Sequence, residues 1–105
     1  MFVPFFALPL ATQLIVSVAD SVPKLDVTSS CRAAAASSNS ADRMQSCVAS
    51  EQKIHDQLIK SWSDFPSVDR ANCLDAVKVF SPTYTELLTC LEMARTVKKI
   101  KRNEN

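Results

Sequence analysis

The sequence predicts an all-α fold: a small disulfide-stapled bundle of about four helices following an N-terminal signal peptide. Three observations carry this expectation. Apolar residues downstream of Met44 recur at steps of three and four instead of alternating. None of the 105 residues is glycine, so β-hairpin turns and phosphate loops lack the residue they depend on. Finally, the four cysteines fall into two pairs, each mirrored about a break in the helical pattern.

The elements follow in order. Residues 2–19, FVPFFALPLATQLIVSVA, carry no charge and end in Ser17-Val18-Ala19, a small-x-small pattern suited to signal peptidase. Pro4 and Pro9 within so short a run make it a poor membrane span. The expected organisation is therefore a signal peptide over 1–19 and one four-cysteine helical domain with a basic C-terminal tail over 20–105. No Lys or Arg precedes the apolar run, so an uncleaved leader acting as an anchor is the alternative.

Within the domain, Asp26 can cap a short first helix through the alanines at 33–36. Alanine supplies helix propensity there but little burial. The strongest pattern spans 42–65, where Met44, Cys47, Val48, Ile54, Leu58, Ile59, Trp62 and Phe65 form one apolar stripe. Ser38, Asn39 or Ser40 can cap its start and Pro66 stops it. Ser67 can open a third helix to about Val77, with Val68, Ala71, Leu74 and Val77 inward. After Ser81 and Pro82, Thr83 and Glu86 match a capping box. The last helix then follows, with Tyr84, Leu87, Leu88, Leu91, Ala94 and Val97 expected as its buried stripe.

Helix geometry selects one of the three possible cysteine pairings. In an antiparallel hairpin, residues equidistant from the turn lie side by side. Cys31 and Cys47 are centred on Asn39; Cys73 and Cys90 are centred between Ser81 and Pro82. Cys47 and Cys73 are instead centred on Lys60, inside the most periodic helix. At 1.5 Å per residue that pair would be left about 18 Å apart, out of disulfide reach. The expected bridges are Cys31–Cys47 and Cys73–Cys90, each worth roughly 3 kcal/mol on the chain-entropy model. A chain this small needs such staples, and an even cysteine count suits export to an oxidising compartment, the periplasm or beyond.

Candidate chemistry is sparse. His55 is the sole histidine, with Glu51 one turn before it and Asp56 next to it, but a dyad would need a nucleophile and a metal site a third ligand. His55 reads as a structural residue flanking the apolar stripe. The cysteines lack a C-x-x-C pair, which argues against zinc and thioredoxin-type redox chemistry. No catalytic residue, metal or cofactor is expected. Net charge is +1, so the whole-molecule field favours no partner class. The tail is locally basic, however, and Arg95, Lys98, Lys99, Lys101 and Arg102 complement a helix C-terminus or contact an anionic surface. Nucleic acid is disfavoured because the tail interleaves no aromatics. Trp62, Phe65, Phe80 and Tyr84 are expected at the two ends of the bundle as core.

The strings WSDFP, ANC and YTELLTCLEM resemble a group of small uncharacterised exported four-cysteine helical proteins of alphaproteobacteria. The matching residues are Trp62, Phe65, Pro66, Cys73, Tyr84, Leu87, Leu88, Cys90, Leu91, Glu92 and Met93, with Cys31 and Cys47 upstream. The resemblance implies export and carries no activity. The expected function is a periplasmic or secreted, non-enzymatic binding or interaction module for an unknown protein or small apolar ligand. Two variants accompany it. One is a carrier with an apolar groove at Leu58, Trp62, Leu87 and Leu91; the other is an anionic-surface binder using the tail. Membrane contact would come only through an uncleaved leader or that tail.

Overall fold

The structure, a computed structural model, describes residues 21–36, 41–80 and 82–104. The expected signal peptide, the capping residues Ser38, Asn39 and Ser40, and Ser81 lie outside the described residues. Four helices follow one another: α1 (Thr28–Ala36), α2 (Ala41–Ser61), α3 (Ser67–Phe80) and α4 (Tyr84–Glu104). A 3-10 turn, Trp62–Asp64, follows α2, and there is no strand among the described residues.

Local chemistry sets the boundaries. Asp26 accepts the Thr28 backbone N–H at 3.0 Å, satisfying a donor that the first turn of α1 leaves free. That bond, then one from the Thr28 side chain, lowers the Asp26 pKa below the ordinary carboxylate value, with help from the Arg32 charge. At the other end of the long helix, Pro66 clashes with a helical conformation at the residue before it, and Phe65 is extended at φ −92°, ψ 140°. Helix α2 therefore ends at Ser61, earlier than the apolar stripe suggests, and tightens into the 3-10 turn. The turn swings Trp62 and Phe65 inward, where each is 3% exposed.

The helices pack as α1 on α2, α3 on α4, and α2 on α4. Glu51 meets Tyr84, while Arg95 lies over Phe65, so α2 and α4 run in the same direction. The bundle is thus two antiparallel hairpins joined along an α2–α4 seam. Each hairpin carries one bridge, Cys31–Cys47 with Cα atoms 5.5 Å apart and Cys73–Cys90 with Cα atoms 5.7 Å apart. The cysteines pair as the mirror geometry requires. Their presence fits an oxidising environment outside the cytoplasm.

One contiguous core lies along the seam: Leu58, Trp62, Phe65, Cys73, Leu74, Val77, Tyr84, Leu87 and Leu91. Residues 22–27 cross its edge as a non-helical strap, with Val22, Leu25 and Val27 packed against the core. The Leu25 backbone N–H donates to the Tyr84 hydroxyl oxygen at 2.7 Å.

The burial differs from the expected stripes at identifiable places. Val48, Ile59, Val68 and Val97 are exposed, as is Ala71. Helix α3 packs chiefly on α4, and only the narrow line of Cys73, Leu74 and Val77 is fully covered. On α2, Ile59 lies about 100° around the helix from Leu58, which points into the seam. The position one turn before Ile54 and His55 belongs to a carboxylate: Glu51 is 6% exposed.

Candidate functional site

Three regions hold the residues with chemical potential. The first is the junction where α2 meets the start of α4. Here Glu51 Oε1 accepts the Tyr84 N–H at 2.6 Å and the Thr85 N–H at 3.4 Å. Its Oε2 accepts the Thr85 hydroxyl. A helix N-terminus exposes unsatisfied N–H groups and positive potential, so a carboxylate placed there serves as cap and counter-charge together. The expected capping box is half made. Thr83 Oγ1 accepts the Glu86 N–H at 3.1 Å, but Glu86 remains exposed and Glu51 supplies the second cap from another helix.

His55 stacks on Tyr84, ring centroids 4.2 Å apart and planes 14° apart. Both Glu51 oxygens accept hydrogen bonds from α4. Among the described residues, no three of His, Cys, Asp and Glu converge as a metal-ligand set. An open cleft of about 690 Å³ borders this junction, lined by the strap together with Val48, Gln52 and His55.

The second region is the seam. Leu58, Leu87 and Leu91 are 0% exposed and Trp62 3%. The four residues considered as an apolar groove are packed into the core instead of lining an open surface, and an apolar guest among them would have to part α2 from α4. Trp62 is covered in part by Arg70, whose guanidinium carbon lies 5.6 Å from its ring.

The third region is the outer half of α4. From 92 to 103 every residue is exposed except Ala94, which is half-buried. By the mirror relation that aligns Cys73 with Cys90, Ser67 lies opposite residue 96, so the last two turns of α4 extend past the start of α3. The five cations of this segment divide into two sets. Arg95 lies over the Phe65 ring at 4.3 Å, and Lys98 donates to Asp69 at 2.8 Å, so both belong to the scaffold. Lys99, Lys101 and Arg102 have no partner among the described residues. A cleft of about 530 Å³ runs beside Lys101 and Arg102, walled also by Asp64, Pro66, Asp69, Arg95 and Lys98.

No family model, curated protein or solved structure matches this chain. The functional reading therefore rests on its own geometry.

Two features were missed in the sequence, and each had a signal. Glu51 stands at the fourth step between Cys47 and Leu58, a charged residue at an apolar position, which is the mark of a buried carboxylate with a dedicated partner. Met93, Val97 and Ile100 repeat at steps of four and three through the basic tail, 63%, 50% and 51% exposed. The cations drew the eye and the stripe between them was passed over.

Proposed function

We propose that this protein is an exported, non-enzymatic interaction module, in the periplasm or secreted, that meets an anionic surface through the outer half of α4. The carrying observation is the division of the cations. A stapled bundle holds out a solvent-exposed helical arm on which Lys99, Lys101 and Arg102 have no partner among the described residues. Exposed, unneutralised cations clustered on one rigid element attract anions by a screened field that fades beyond about 10 Å at ordinary salt. Export is supported by the uncharged leader and by the two disulfides. The non-enzymatic reading is supported by His55 stacked on Tyr84 and by a buried carboxylate committed to a helix end.

Retention on immobilised heparin, a soluble polyanion, tests this. The K99Q/K101Q/R102Q variant is expected to elute at clearly lower salt than the parent, while D69N, which frees Lys98 from its pair, elutes at the same salt or higher. Equal elution of the triple variant and the parent refutes the anionic-surface reading.

A further inference from the structure

We infer that the outer half of α4 lies flat on an anionic bilayer, with Met93, Val97 and Ile100 entering the headgroup interface. This rests on the anionic-surface reading above and names the surface.

Steps of four and three on a helix of 100° per residue put Val97 about 40° to one side of Met93 and Ile100 about 20° to the other. The three side chains make one ridge, each at least half exposed. That ridge points away from the seam, because Leu87 and Leu91 occupy the opposite side of α4, and Arg95 and Lys98 continue that side onto Phe65 and Asp69. Lys101 stands about 75° from the middle of the ridge and Lys99 about 125° on the other flank. The Lys101 stem runs along the apolar boundary and lifts its ammonium group to headgroup height, while Lys99, beyond Glu92 on the other flank, adds to the attracting field. Arg102 faces away from the ridge and adds to the attracting field. An exposed apolar ridge with a lysine on its border and further cations behind it is the arrangement of an interfacial helix.

Two other occupants fit less well. A second copy laid on the ridge would bring Lys101 toward the like-charged flank of its partner, and three side chains offer far less area than a specific protein interface. A soluble polyanion would satisfy the cations and leave the ridge in water. Only an anionic membrane surface uses both features at once. No helix among the described residues is long and apolar enough to cross a membrane, so the contact is one of lying on the surface.

The test uses full-chain protein recovered from the exported fraction, mixed with vesicles of equimolar phosphatidylglycerol and phosphatidylcholine or of phosphatidylcholine alone. Binding is read by flotation. Insertion is read by the rate of peroxide oxidation of Met93, with Met44 as the internal reference. Anionic vesicles are expected to bind the protein and slow Met93 oxidation several-fold relative to Met44, whereas heparin leaves the Met93 rate unchanged. Each of Lys99 and Lys101 changed to Gln should weaken vesicle binding about five-fold. M93S/V97S/I100S should lose vesicle binding while keeping heparin retention and the helical circular dichroism of the parent. Heparin retention combined with a free-solution Met93 rate on anionic vesicles overturns the bilayer assignment and leaves the anionic-surface reading standing. Loss of heparin and vesicle binding alike overturns both.

Discussion

The Glu51 cap is a polar interaction that joins the two hairpins, and its removal can be costed. In Glu51→Ala, the Tyr84 N–H loses a 2.6 Å bond to a carboxylate at a buried position, and the Thr85 hydroxyl loses its acceptor. A hydrogen bond to a charged group is worth about 1.5–3 kcal/mol, and loss of an N-terminal cap about 1 kcal/mol. The two figures overlap, because one of the lost bonds is the cap itself. The expected cost is about 3 kcal/mol, or roughly 15 °C in Tm for a domain of this size. Glu51→Gln keeps an oxygen for the Tyr84 N–H but gives up the charge facing the helix dipole, and should cost about half as much. Both variants are to be measured by urea unfolding, following circular dichroism and Trp62 fluorescence with the disulfides intact. A loss below about 1 kcal/mol in the alanine variant, or a glutamine variant as weak as it, would show that α4 does not rely on this carboxylate.

Three further predictions concern the scaffold. Leu58→Ala should cost about 3 kcal/mol, whereas Ile59→Ala, at a side chain 57% exposed, should stay within about 0.5 kcal/mol; similar losses would contradict the orientation of α2, as read from paired urea titrations. Replacing Cys73 and Cys90 together by Ala opens a crosslink with a sequence separation of 17 and should lower stability by about 3 kcal/mol, measured against the oxidised parent. For Asp26 the folded pKa is depressed, so its contribution is present above the unfolded carboxylate pKa and is lost as pH falls through the lower folded value. Amide exchange at the start of α1 should therefore accelerate in that acid window, and Asp26→Asn should remove the pH dependence; an unchanged profile in the variant would show that another group titrates.

Much of this was legible in the sequence, for physical reasons that also mark its limits. The two bridges followed from the rise of a helix and the reach of a disulfide, neither of which depends on side-chain detail. Leu58, Trp62, Leu87 and Leu91 were picked out by spacing, but spacing alone did not separate a groove from a core; that required knowing that α2 and α4 lie in contact. The same gap explains Val68 and Val97. Periodicity shows that a face is apolar, whereas the presence of a neighbouring element decides whether it is covered. Glu51 was overlooked as a cap because its partners, Tyr84 and Thr85, are more than thirty positions downstream, beyond any local capping rule. The basic tail was seen as one cluster of five. Only the fold divides it into Arg95 and Lys98, held by Phe65 and Asp69, and the three with no partner among the described residues.

Neither covalent crosslink spans the line between the halves. Cys31–Cys47 closes the first hairpin on itself and Cys73–Cys90 the second, so only the short 62–66 corner carries a covalent path from one half to the other. Mechanically the molecule is a hinged book: each cover is riveted, while the pages are held shut by Leu58 against Leu87 and Leu91, by Glu51, and by the strap bond to Tyr84. Stress, heat or mild denaturant should open it along that spine before either cover comes apart, and on release two preassembled leaves have only one surface to find.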